Sequence, residues 1–179
     1  MVENVVKTKN QLLCERKVPN DFSTQHGDTY TWSWLPRANV QSLLNIRNAG
    51  HVLGHMRNKS PITEEMHLDF LRKYESLPRI DFILQHQDSG KYVGAVNISL
   101  TDYGFEIGKY IGNEKFLGKG IAFPMTQNFL TYIDENVSEI RKIRAVTKIT
   151  NYKNINLNFK LGFQIIESVE HDYWLMELR

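Results

Sequence analysis

The sequence predicts an α/β (α+β) domain with elements in the order β-α-α-β-β-β-α-β-α-β-β. Two periodicities carry that prediction. Tyr30-Thr31-Trp32-Ser33-Trp34-Leu35 alternates aromatic and small polar residues with period two, as a half-buried strand does. Ile121, Met125, Phe129 and Ile133 recur every four residues, as on the inner face of a helix. A third observation bounds the size. A chain of 179 residues with 41% apolar content buries one good core, so one domain is expected.

Taken in order, residues 1–28 are polar and irregular, with Pro19, Asn20, Asp21 and Gly27 as breakers. They form an N-terminal arm, either flexible or packed on the body, and the domain proper spans 29–179. Pro36 ends the first strand, and Val40, Leu43 and Leu44 mark a first helix toward Asn48. In the second helix Thr63 suits the N-cap and Glu64 and Glu65 the positive first turn. Met66, Phe70, Leu71 and Tyr74 make its apolar face. Residues 80–84 and 92–98 read as strands joined by the turn Asp88-Ser89-Gly90-Lys91. The turn Thr101-Asp102-Tyr103-Gly104 leads into a strand over 105–111. After the helix carrying Ile121 come a strand over 142–148, a short helix, and strands over 163–169 and 173–178 meeting at Glu170-His171-Asp172.

The most informative stretch is Leu117-Gly118-Lys119-Gly120-Ile121-Ala122, between the strand 105–111 and the helix. A strand, a glycine turn and a helix N-terminus together form a device for holding phosphate. The first helical turn has N–H groups without intrahelical partners and carries the positive end of the dipole. Glycines let backbone approach an anion closely, and Lys119 adds charge. The competing nucleotide loops are excluded: no GxxxxGK[ST] is present, and Phe123 stands where a dinucleotide fingerprint needs its third glycine.

Net charge +2 with scattered basic residues argues against nucleic acid as a partner. No run approaches the roughly 20 apolar residues of a membrane span. The stretch from Met1 to Lys7 lacks the apolar centre of a signal peptide. Cys14 is the one cysteine, which excludes an internal disulfide or a multi-cysteine metal cluster, and the six histidines lack ligand spacing. A cytoplasmic protein without a metal is expected.

Downstream of the strand over 142–148 lie Asn151 and, eight residues on, Phe159-Lys160-Leu161-Gly162-Phe163. That order resembles the GNAT superfamily of acyl-CoA-dependent N-acetyltransferases. The family writes its pyrophosphate loop as (Q/R)xxGx(G/A), places an Asn after the next strand, and closes the following helix on K-x-G-F. Those positions correspond to Leu117 through Ala122, to Asn151 and to Lys160 through Phe163. The resemblance implies a mixed, mostly antiparallel central sheet flanked by helices, with a V-shaped splay between the fourth and fifth core strands. It implies acetyl-CoA as cosubstrate, its pantetheine arm lying in the V beside a bulge in the strand before the loop. Leu117, Gly118, Lys119, Gly120, Ile121, Ala122, Asn151, Asn158 and Lys160 would bind it. Backbone around Tyr110, Ile111 and Gly112 would polarise the thioester carbonyl.

Two positions depart from the family. Leu117 replaces the usual Gln or Arg, for which weaker CoA binding is expected, since main-chain N–H groups make most of the phosphate grip. Asn158 replaces the Tyr that many members use as the acid for the departing thiolate. An amide releases no proton at useful pKa, although it donates a hydrogen bond to sulfur. Water or Tyr152 would then serve, or the thiolate departs without an acid, or Asn158 is a solvated helix residue. The candidate bases are Glu106, His67 and Asp102, the last also a turn former.

Ile46-Arg47-Asn48, Met56 and the segment from Ile62 to Phe70 are similar to one GNAT branch, the bacterial aminosugar-nucleotide N-acetyltransferases of the pseudaminic acid pathway. Carried over, Arg47 and His67 would contact the sugar nucleotide, and Met56 and Phe70 would line the sugar pocket. Arg makes forked bonds to diphosphate and His donates another. This chain has one extra residue between Met56 and His67, and Arg57 where the branch more often has an aromatic. The resemblance implies acetylation of a nucleotide-linked aminosugar for surface glycan synthesis. The alternatives are protein N-terminal (RimL-like) or small-amine acetylation, and a non-catalytic acyl-CoA-binding regulator. A homodimer through the last strands is the family's habit, with Tyr173-Trp174 serving that contact or the core.

Overall fold

The computed structural model describes residues 2–179. The strands are β1 (Phe22–Ser23), β2 (Thr29–Trp34), β3 (Arg79–His86), β4 (Tyr92–Thr101), β5 (Gly104–Ile111), β6 (Ile143–Lys148), β7 (Phe163–Val169) and β8 (Tyr173–Leu178). They form one sheet in the order β1-β2-β3-β4-β5-β6-β8-β7. Every neighbouring pair is antiparallel except β5 and β6, which are parallel. The helices are α1 (Val2–Cys14), α2 (Val40–Arg47), α3 (Gly50–Leu53), α4 (Glu64–Lys73), α5 (Ala122–Asn136) and α6 (Tyr152–Lys160). From β2 onward this is the expected order, with the short helix α3 added. None of the helices among the described residues is long and apolar enough to cross a membrane.

The sheet separates two apolar clusters. The larger holds Met125, Phe129 and Ile133 of α5 against Val96, Ile98, Phe105 and Ile107. The smaller holds Leu43 and Ile46 of α2, with Phe70 and Leu71 of α4, against Ile83, Ala95 and Tyr110. Burying each large apolar side chain contributes about 1.5–3 kcal/mol. Side chains alternate along a strand, so β5 has two distinct faces. Phe105, Ile107, Lys109 and Ile111 belong to the α5 side, and Glu106, Gly108 and Tyr110 to the α2–α4 side.

The N-terminal segment corrects the sequence reading of 1–28 as irregular. α1 is a regular helix that packs on the body through Val5, Lys9 and Leu12. Lys9 donates to the carbonyls of Tyr74, Glu75 and Leu77 at 2.5, 3.0 and 2.9 Å. The chain beyond it is tied down by Trp34 Nε1 and Tyr132 Oη, both donating to Lys17 O. The helical stripe Val5–Lys9–Leu12 was hidden because its central member is a lysine.

The expected V is formed by divergence of β5 and β6. They pair only at Phe105↔Ile143 and Glu106↔Arg144, after which they separate. The expected bulge in β5 is absent: its pairing with β4 runs unshifted from Thr101↔Gly104 to Gly94↔Ile111. The register shifts instead in β4, where Val93 is the extra residue opposite Leu84/Gln85, and in β7, where Ile166 is the extra residue between Ile165 and Glu167.

Candidate active site

A cavity of about 670 Å³ opens at the V and extends beneath α2, α3 and α4. It brings together Arg47, Met56, His67, Phe70, Glu106, Tyr110, Ile111 and Asn151 of the sequence-selected residues. Gly112 explains how α2 comes so close: a Cβ there would lie 2.2 Å from Ile46 O. That contact sets Arg47 over the end of β5. Asn48 then clamps the following loop, with Nδ2 donating to Ile62 O at 2.8 Å and Oδ1 accepting from Ile62 N at 2.9 Å. The clamped loop carries Met56 and Arg57. His51 Nε2 pins α3 to Ile111 O at 2.9 Å.

On this side of the sheet the carboxylates differ in how far they are used. Arg79 grips both oxygens of Asp81, with Nε–Oδ2 at 2.8 Å and Nη2–Oδ1 at 2.7 Å. Glu106 is 8% exposed. Its Oε1 accepts from Arg57 Nη2, while Oε2 is buried without a partner. Arg57 also reaches Glu170 in the β7–β8 turn at 3.4 Å, so it bridges the loop to β5 and to that turn. The departure at Arg57 noted in the sequence therefore holds Glu106 in place.

Arg47 has no carboxylate within salt-bridge distance, and its Nη1 is buried without a partner. Burial, with Arg79 nearby, pulls its guanidinium below the usual range. His67 is 6% exposed, with Nε2 likewise unpartnered, and burial lowers its imidazole pKa. Its ring stacks on Phe70 at 6.1 Å. α4 presents both because Thr63 caps it, accepting from Met66 N at 3.2 Å. Asp102 and Tyr152 are exposed and lie outside the cavity lining.

The three expected carbonyl-polarising donors are not equivalent. Gly112 N–H is taken by Val93 O at 2.9 Å. Backbone groups alternate between the edges of a strand, so Tyr110, paired with Ala95, shares that edge. Ile111 and Lys109 turn their N–H groups toward the V.

The turn before α5 suits an anion. Gly118 and Gly120 both have positive φ, 74° and 72°, and no atom lies within 4 Å of where their Cβ atoms would be. Ile121 at the N-cap offers no side-chain cap, leaving the first-turn N–H groups free. Leu117 is exposed and Ile121 buried. Lys119 sits 3.8 Å from Asp28 and 5.1 Å from the Phe116 ring centroid. These residues fit acetyl-CoA: the cradle at 118–122 would offer main-chain N–H groups to a diphosphate, and the V would leave strand backbone open to a pantetheine arm.

At the other side of the V, Asn151 caps α6 by accepting from Asn154 N at 3.2 Å. Lys160 is exposed. Asn158 is 0% exposed, which excludes the solvated reading. Its Nδ2 donates to Thr147 Oγ1 at 3.1 Å and Met176 Sδ at 3.5 Å, and its Oδ1 accepts from Lys109 Nζ at 2.7 Å. Lys109, Arg57, His51 and the Arg79–Asp81 pair were not selected from sequence. For Lys109 a signal existed: it is the one charge among the inward positions 105, 107, 109 and 111.

A family model for the acetyltransferase (GNAT) domain matches residues 33–164. No curated protein matches the chain. Among solved structures, a domain from Methanocaldococcus jannaschii is similar at 22% identity and TM-score 0.71, covering 84% of this chain and 98% of that one. Spermidine N-acetyltransferase from Vibrio cholerae, in complex with CoA and spermine, is 17% identical with TM-score 0.70, covering 83% and 94%. Ribosomal-protein-S5-alanine acetyltransferase from Vibrio fischeri is 17% identical with TM-score 0.68, covering 88% and 95%.

Proposed function

The chain belongs to the GNAT acetyltransferase family, and on that premise we propose that it is a cytoplasmic enzyme acetylating the amine of an anionic small molecule, a nucleotide-linked aminosugar. The observation that carries this reading is Arg47, half-buried in the cavity wall, with a buried, unpartnered Nη1 and no carboxylate of its own. A charged donor left buried without an acceptor is costly, and a phosphate or other anion on the acceptor would supply one. The cavity lining holds five Arg and Lys residues against two carboxylates, both already held by arginines. That balance disfavours a polyamine, and it is not the acidic groove that suits a peptide N-terminus.

In this reading Arg47 and His67 hold the acceptor's anion, while Met56 and Phe70 pack on the sugar. Glu106 Oε2 receives the proton that the amine loses, a role contributing typically 10²–10⁴-fold. The amine reaches the thioester through the V, with Ile111 N–H facing the carbonyl. A homodimer remains part of the proposal, supported by the exposed Ile165 and Ile166 on the edge strand β7.

The test is release of CoA thiol from acetyl-CoA with UDP- and dTDP-linked 4-aminosugars, an alanine-initiated peptide and spermidine. The nucleotide aminosugars should give the highest kcat/KM, and Arg47→Ala should raise their KM at least about tenfold, the loss of one charged hydrogen bond. Best turnover on spermidine or the peptide, indifferent to Arg47→Ala, would overturn the reading.

A further inference from the structure

The sulfur that leaves in acetyl transfer needs a proton, and Asn158 has none to release. A side chain that does have one already stands in the V. Lys109 lies on the α5 side of β5 and lines the cavity where β5 and β6 part. Its ammonium has three donors, of which one goes to Asn158 Oδ1. Asn158 is itself fixed by Thr147 and Met176, so its acceptor oxygen points at the lysine. Because 106 and 109 are an odd number of residues apart, Glu106 and Lys109 flank the V from opposite faces of the same strand.

We propose that Lys109 is the acid of this reaction, donating a proton to the departing sulfur, and that Asn158 is its positioning residue. The inference rests on the acetyl-transfer reading and is independent of which amine is the acceptor. The amine lone pair forms the C–N bond. The C–S bond breaks with its electron pair going to sulfur, which takes a proton from Lys109 Nζ. The proton lost by nitrogen passes to Glu106 Oε2. Lys109 is left neutral and Glu106 protonated, and exchange with water restores both.

The energetics agree with the geometry. Burial brings the ammonium down to about 8, near the roughly 8.5 of an ordinary thiol, so the transfer is close to balanced. α6, β6 and β8 surround the Lys109–Asn158 pair with Thr147 and Met176, neither of which titrates. On the strands around it, the other titratable groups lining the cavity are Glu106 and Tyr110 of β5, Lys148 of β6 and Tyr173 of β8.

The experiment compares wild type with Lys109→Gln, which keeps a donor for Asn158, and with Asn158→Ala. The first readout needs no turnover: the thiol of bound CoA is titrated by its ultraviolet thiolate absorbance. An adjacent ammonium should lower that ionisation by about one pH unit or more relative to Lys109→Gln, with Asn158→Ala between the two. The second readout is kcat against pH. It should fall in wild type as pH rises past Lys109's ionisation, and in Lys109→Gln it should be about tenfold lower without that limb. Equal thiol ionisation and equal kcat in wild type and Lys109→Gln would overturn the proposal. So would acetyl-Lys109 in the intact mass, which would make the lysine a nucleophile. Failure of wild type to bind CoA, read from the isotherm, would instead remove the acetyl-transfer premise.

Discussion

Lys9 and Lys109 are both drawn into the protein, and burial brings both ammonium groups down to about 8. Around Lys9, Asp81 and Glu75 oppose that shift, and three carbonyls accept hydrogen bonds from its three N–H groups. Around Lys109 no charge opposes it, and the one acceptor is an amide. The first lysine is fully used in joining α1 to the end of α4. The second is left with capacity facing a cavity. The carboxylates repeat the contrast: Asp81 is gripped on both oxygens, and Glu106 on one. Buried charge that is completely satisfied holds the fold together, and the proposed chemistry falls on buried charge that is partly satisfied.

The strongest way to break this contrast is to neutralise the half-used carboxylate. Glu106→Gln keeps shape and size, so the thermal midpoint should move little while kcat/KM falls about 10²-fold or more. A Glu106→Gln protein with near-normal turnover would remove Glu106 from the mechanism. Next in size is the fully used lysine. Lys9→Met removes three charge-assisted hydrogen bonds, to carbonyls that each keep one other donor, and should cost about 3 kcal/mol. For a chain of this length that lowers Tm by roughly 6–12 °C. Turnover below the transition should match wild type, since no residue of α1 lines the cavity.

A pH measurement sharpens the comparison further. Lys109 ionises below its unfolded value of 10.5, so between about 8 and 10.5 the unfolded chain binds more protons than the folded one. Stability therefore rises with pH across that window, and the cost of the buried charge is fully present below it. Lys109→Gln should show a smaller rise in denaturant stability from pH 8 to 10 than wild type. An equal rise would mean that Lys109 is not desolvated in solution.

The same contrast explains what was legible in the sequence. Strand alternation and the four-residue period of Ile121, Met125, Phe129 and Ile133 locate β2 and α5, because apolar burial writes itself as periodicity. The glycine turn was legible because positive φ restricts residue choice at 118 and 120. α1 was not, since its stripe passes through Lys9, and a lysine satisfied by distant carbonyls leaves no local mark. Arg57 and Glu106 are 49 residues apart, and no spacing rule links them. Asn158 was noticed as a departure, but its meaning depends on Lys109 across the V, a contact that only the divergence of β5 and β6 creates.

The smallest expected effect lies at the most conspicuous cation. Lys119 sits in the glycine turn before α5, and its sequence position invites a large role in the proposed phosphate site. Yet its ammonium is turned toward Asp28 at 3.8 Å and lies over the Phe116 ring, with its side chain 44% exposed. An exposed charge of this kind is worth about 1 kcal/mol or less, whereas the uncapped N–H groups of α5 are fixed by the helix itself. Lys119→Ala should therefore raise the KM for acetyl-CoA less than about fivefold and leave kcat unchanged. Gly120→Val, which imposes a β-branched side chain at φ 72°, should raise it far more. A Lys119→Ala defect as large as that of Gly120→Val would mean that the side-chain charge, and not the main chain, holds the diphosphate. In that case Asp28 would have to release the lysine on binding, and Asp28→Asn would tighten acetyl-CoA binding.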